Sequence, residues 1–170
     1  SCPSKCRYCG FPIGEDHGKR GPRGYDAGKK VVGRKSHVVV DSQGLLMRVR
    51  VHPADLQDRD GARLVLHNLG KTYRRLRHLW ADGAYAGELE QWLAHGGAGP
   101  RIKLQIVKRS DAHRGFQVLP RRWVVERSLA WSSRCRRLSK DYEALPKTSE
   151  SWIYLSSIAL LLRRLTSRAF

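Results

Sequence analysis

SHVVVDSQGLLMRVRVHPADLQDRDGARLVLHNLGKTYRRLRHLWADG, running from Ser36 to Gly83, places a hairpin, a helix and a strand one after another. His37 to Val40 and Leu45 to Val51 are rich in the β-branched and aliphatic residues that strands prefer, and Asp41-Ser-Gln-Gly44 between them supplies a turn. Behind Pro53 the period changes. Leu56, Ala62, Leu66 and Leu69 recur at near-helical spacing, which predicts a helix from Asp55 to about Tyr73. Leu76 to Ala81 then reads as a short strand that stops at Asp82-Gly83.

Downstream the alternation continues. A helix is predicted over Gly87 to His95, stopped by Gly96 and Gly97. A strand follows over Arg101 to Lys108, where Ile102, Leu104 and Ile106 alternate with Lys103 and Gln105. Pro120 to Tyr142 reads as one long helix with proline in its first turn, carrying Val124, Trp131, Cys135, Leu138 and Tyr142 as an apolar stripe. After Pro146 a last amphipathic helix is predicted over Glu150 to Leu165, with Trp152, Leu155, Ala159 and Leu162 on one face. Upstream, the first 35 residues are rich in Gly, Lys, Arg and Cys, lack an apolar period and read as loop or arm. Strands and helices in this order predict a mixed α/β layer architecture in place of a bundle or a sandwich.

The chain of 170 residues is long enough for one ordinary core. Its 33 Lys plus Arg against 15 Asp plus Glu give a formal charge of +18, with the basic residues spread along the whole length. A polyanion is the natural partner for such an excess, and nucleic acid is the commonest, because each neutralised phosphate releases counterions. The longest apolar run, Ile158 to Leu162, falls far short of a membrane span. No export leader is evident, and the four cysteines, three of them in the first nine residues, form a poor disulfide framework. A reducing cytoplasm is the expected compartment.

Two carboxylates stand out. Asp82 lies where a short apolar strand breaks into Gly83, and functional groups of α/β sheets collect just beyond strand C-termini. The plainer reading is a turn aspartate bonding its own backbone. Glu126 sits near the start of the long helix, sharing a face with Arg122, Ala130 and Ser133, so that small neighbours leave room beside it. The plainer reading is a surface glutamate paired with Arg122. Two carboxylates on separate elements of a cationic chain suit divalent-metal chemistry on phosphodiesters, since Mg²⁺ takes one or two carboxylates plus substrate phosphate and keeps several waters. Neither a His-Glu-x-x-His zinc spacing nor a phosphate-binding P-loop is present.

The runs RGYDAGKKVVGRKSHVVVDSQG (Arg23 to Gly44), HPADLQDRDGA (His52 to Ala62), WADGAYAG (Trp80 to Gly87), VLPRRWVVERSLAWSSRCRRLSKDYE (Val118 to Glu143) and TSESWIYLSSIALLLRRL (Thr148 to Leu165) resemble the DDE transposases of bacterial insertion sequences. The likeness spans Gly21 to Leu165. It implies an RNase H-like core, a mixed sheet flanked by helices, in which three acidic residues bind two Mg²⁺ or Mn²⁺ ions for cleavage and strand transfer at transposon ends. By that likeness Asp82 is the second acid and Glu126 the third. Arg122, with Arg134, Arg137 and Lys140 after the glutamate, would position DNA phosphates. Double-stranded DNA, both transposon ends and target, is the implied partner, with more than one copy assembling on it and no role for a membrane.

The first acid has no counterpart. Its place falls at Gly10, so the first strand is expected to be missing or replaced, with residues 1–20 a separate cysteine-rich and disordered segment and residues 21–170 a partial core. Asp16 and Glu15 are the nearest acids, while Asp41 belongs to the hairpin turn. Cys2, Cys6 and Cys9 have the spacing C-x-x-x-C-x-x-C, which resembles the cluster loop of radical S-adenosylmethionine enzymes and would hold a [4Fe–4S] cluster. Nothing downstream resembles the barrel such enzymes need, so an unrelated segment joined to the core is the competing reading, as is zinc bound with His17. Two functions follow as expectations, a transposase catalytic core and a DNA-binding remnant without catalysis.

Overall fold

The computed structural model describes residues 5–13 by backbone alone, and residues 21–28, 30–99, 102–107 and 123–166. Strands β1 (Lys5–Ile13), β2 (Gly24–Asp26), β3 (Val31–Asp41), β4 (Leu46–Pro53), β5 (His78–Asp82) and β6 (Lys103–Val107) form one sheet. Its order is β2-β3-β1-β5-β6, with β4 also on β3. β3 is antiparallel to β1, β2 and β4, whereas β1, β5 and β6 run parallel. An antiparallel hairpin extended by parallel strands, with helices on both faces, is the RNase H-like arrangement that the sequence implies.

Alternation along the strands sorts their side chains between two helical layers. Val39, Leu79 and Ala81 point to one face, where α1 (Asp58–Leu66), α2 (Leu69–Thr72) and α3 (Glu88–Ala94) cover them with Val65, Leu66, Leu69, Leu89 and Leu93. Val38 and Val40 point to the other, with Val49 and Val51 of β4, beneath Val124 and Val125 of α4 (Trp123–Ser133) and Ile153 of α5 (Pro146–Thr166).

Several boundaries depart from the sequence reading. Residues 5–13, read as arm, are a strand lodged between β3 and β5, paired from Cys6↔Asp41 to Ile13↔Arg34 on one side and from Lys5↔His78 to Arg7↔Trp80 on the other. The first strand is therefore not missing. The exposed ladder edges of β3 and β5 supply it with partners, which compensate for its lack of an apolar period. The helix predicted from Asp55 to Tyr73 is two helices, because Asn68 turns left-handed at φ 55°. There Gly70 donates its N–H to the Ala98 carbonyl at 2.6 Å, and a Cβ would stand 2.9 Å from that oxygen. The helix predicted to reach Tyr142 ends at Ser133. Ser132 and Ser133 turn their hydroxyls back onto the carbonyls of Ser128 and Ala130, and Cys135 is extended, which together break the helical ladder.

A buried ion pair fixes what comes next. The Arg34 guanidinium donates to Asp141 Oδ2 at 3.0 Å and to the carbonyls of Pro22, Glu143 and Ala144, while Ser149 Oγ donates to Asp141 Oδ1 at 2.8 Å. Arg34 and Asp141 are 0% and 3% exposed, so the charges are out of water and satisfied by each other and by backbone. This clamp pins the segment between α4 and α5 to the sheet.

Candidate active site

Within β5, Leu79 and Ala81 belong to the α1–α3 core, which leaves Trp80 and Asp82 facing the α4–α5 side. Trp80 is buried and anchors its Nε1–H on Gln105 Oε1 at 2.8 Å, while Asp82, the last residue of the strand, is half-buried. Beyond it, no atom of the described residues lies within 4 Å of the place a Cβ on Gly83 would take.

Glu126 projects from the first turn of α4, next to the buried Val124 and Val125. Two attachments fix that helix. At the β3–β4 turn Gly44 has φ 83°, and a Cβ on it would stand 2.7 Å from Ser128 Oγ, which itself donates to the Gly44 carbonyl at 2.8 Å. Arg127 lies between Trp123 and Trp131, 4.2 and 4.7 Å from the ring centroids, and donates to the Gln43 carbonyl; Arg164 of α5 covers Trp131 at 4.3 Å. Tryptophans four residues to either side of an arginine were the sequence signal for this ladder, and the sequence reading missed it.

Asp82 and Glu126 line one cavity of about 780 Å³, floored by Ser36, Val38 and Val40 and walled by Trp131, Ser132 and Ser156. The volume lies within the range of small-ligand and substrate clefts. Two further carboxylates line it. Asp141 is held by Arg34, and Glu143 by Arg137, whose guanidinium also lies over the rings of Tyr142 and Trp152. Lys140 lines the cavity from an exposed position; Arg134 is exposed in the turn after α4; Arg122 lies outside the described residues.

Among the described residues no carboxylate takes the place of the first acidic ligand. β1 carries none: its sequence is KCRYCGFPI, and two residues beyond the pair Arg7↔Trp80 the two strands reach Cys9 and Asp82. Glu15, Asp16, His17 and Cys2 lie outside the described residues. Asp41 accepts from the N–H groups of Gln43 and Leu45 at 2.8 and 2.9 Å, as a turn residue should. Cys6 and Cys9 occupy an extended strand, Cys6 paired with both β3 and β5 and Cys9 with β3, which corrects the cluster-loop reading, since such a loop must curl around its metal. Among the described residues no three His, Cys, Asp or Glu side chains are grouped to hold an ion. Hard oxygen donors at Asp82 and Glu126 fit a divalent ion that takes its remaining ligands from water and phosphate.

On the opposite face lies a titratable pair that the sequence reading also missed. His37 and His52 stack at 4.7 Å, with Tyr85 at 3.4 Å from His37 Nδ1 and Gly61 of α1 so close that any Cβ would collide with both rings. Burial, with His52 and Lys35 nearby, pushes the His37 imidazole down to about 3, and burial lowers His52 as well.

The family model described as the transposase DDE domain matches residues 7–162. A comparison with curated proteins gave no match. Among the described residues no helix is long and apolar enough to cross a membrane.

Proposed function

Because the chain belongs to the transposase DDE-domain family, we propose that it cleaves and rejoins DNA at the ends of a bacterial insertion sequence, in the cytoplasm, with Asp82 and Glu126 as metal ligands. One observation carries the reading: the two carboxylates, 44 residues apart in sequence from Asp82 to Glu126, line a single cavity. A divalent ion bound there, Mg²⁺ or Mn²⁺, would supply charge to stabilise the attacked phosphate and to lower the pKa of an attacking water. Asp82 and Glu126 would hold it from a rigid strand end and a braced helix, so little reorganisation is needed when the substrate arrives. Lys140 and Arg134, exposed beside the cavity, and Arg122 before it would orient the DNA backbone. Two ions would need a further carboxylate, for which Asp16 is the nearest sequence candidate.

The second reading, a DNA-binding chain without catalysis, is favoured by β1, whose residues bring no acid to the strand beside Asp82. Incubating the purified chain with supercoiled and linear duplexes in Mg²⁺ or Mn²⁺ separates the two. Nicking that disappears in Asp82→Asn and Glu126→Gln supports catalysis, and equal nicking by wild type and both variants rejects the assignment. DNA binding without nicking under all conditions establishes the second reading.

A further inference from the structure

At the end of β5 remote from Asp82 the described residues form a basic surface. Lys71 lies in the last turn of α2, Arg74 and Arg75 form the following turn, Arg77 leads into β5, His78 opens it, and Lys103 opens β6 in register with His78. All six are exposed. No Asp or Glu occurs from residue 61 to 81 or from 91 to 110, so sequence neighbours offer no countercharge. Lys71, Arg74, Arg77 and Lys103 have no ion-pair partner among the described residues. Several arginines elsewhere are paired, Arg50 on Glu150, Arg59 and Arg63 on Glu88, and Arg137 on Glu143.

Order accompanies the charge. Arg77 donates to the carbonyls of Arg74 and Leu76 at 2.8 and 3.1 Å, and its own carbonyl accepts the Lys103 N–H at 2.9 Å, which ties the loop to the mouth of β6. Like charges crowded on a fixed scaffold repel one another, and an anion that bridges them relieves that repulsion. Several cations from a helix end, a turn and two strand starts suit the many charges of a duplex backbone better than a single small anion.

We propose that this patch is a second DNA contact, gripping duplex phosphates away from the bond that is cut. It rests on the reading of the chain as acting on DNA. The five-residue strand β5 separates the patch from Asp82 by roughly 13 Å at about 3.3 Å per residue, so DNA seated here is a stretch flanking the scissile bond or a second duplex. Backbone contacts of this kind carry no base information and position the duplex without selecting its sequence.

The test uses fluorescence anisotropy on the full chain with two duplexes of unrelated sequence, in EDTA, across a salt series. Substituting Lys71, Arg74 and Lys103 together by Gln leaves the Arg77 backbone bonds intact. The expected result is an affinity lowered at least about tenfold for both duplexes, with a log–log salt slope shallower by about 0.9 for each lost contact. The comparison variant, Arg59→Gln with Arg63→Gln, removes two cations already paired with Glu88 and should change affinity less than about twofold. Unchanged affinity and slope in the triple variant, with an unchanged thermal midpoint, overturns the proposal. If the triple variant unfolds, the single Lys103→Gln must still make the slope shallower, and a slope that does not move overturns it equally. Because binding is read without metal, loss of nicking in Asp82→Asn leaves this result untouched. Nicking that persists alongside an unchanged slope would remove the patch while keeping the active site.

Discussion

The two faces of the sheet are built from the same strands yet resemble each other little. Under α1, α2 and α3 the packing is dry and closed: Val39, Val65, Leu66, Leu69, Leu79 and Leu89 are fully buried, and even two histidines are enclosed there. Beneath α4 and α5 the sheet is only partly covered, and the space left is lined by aliphatic side chains together with serines, two tryptophans and four carboxylates. One face is closed throughout while the other keeps a cleft open beside its smaller apolar cluster, and the Arg34–Asp141 clamp braces that side together with Val38, Val40, Val124, Val125 and Ile153. The division resembles the general separation of a rigid scaffold from the groups it presents.

The largest effect that would break this comparison concerns the open face. Asp82→Asn should lower metal-dependent cleavage by about a thousandfold or more, the equivalent of about 4 kcal/mol of lost charge stabilisation, and leave the thermal midpoint within a few degrees of wild type. A midpoint that falls as it does for a core variant would show that Asp82 serves the fold. Next in size is the clamp. Asp141→Ala strands a buried guanidinium and should destabilise by about 3 to 5 kcal/mol in denaturant unfolding, although it lies on the cleft side. A loss below about 1 kcal/mol would mean that water reaches Arg34.

Leucines on the two faces sharpen the contrast. Leu79→Ala, on the closed face, should cost about 2 to 5 kcal/mol, whereas Leu161→Ala, lining the cavity and 36% exposed, should cost under about 1 kcal/mol. Equal losses would mean that the cavity is filled in solution. The smallest effect is graded with pH. His37 titrates near 3 when folded and near 6.5 when unfolded, so the unfolded chain binds the proton first as pH falls. Stability from this group is complete above about pH 6.5 and declines between 6.5 and 3 by up to about 1.4 kcal/mol per pH unit. His37→Asn should flatten that slope in a series of unfolding curves, and a slope identical to wild type would place the acid sensitivity elsewhere.

Much of the candidate site was legible in the chain. Asp82 could be singled out because an apolar strand ending in Asp-Gly exposes a carboxylate whatever surrounds it. Glu126 could be noticed, but its i−4 and i+7 neighbours could not reveal that serines of α5 line the same cavity. Arg137 shows what the sequence left out: its place after the glutamate suggested phosphate, and Glu143, Tyr142 and Trp152, brought close by the break after Ser133, also contact its guanidinium. The basic patch was visible only as a general excess of charge, since the sequence does not show which cations find acids.

Local periods determined the hairpin, the alternation of helix and strand, and the strand end that exposes Asp82, because each depends on residues a few positions apart. Tertiary structure alone decided that Lys5–Ile13 is a strand, that Arg34 meets Asp141, that His37 lies on His52, and that Asp82 and Glu126 share a cavity. Those outcomes depend on ladder hydrogen bonds and burial between distant segments, and a hydrogen-bonding edge or an enclosed charge has no signature in the order of residues nearby.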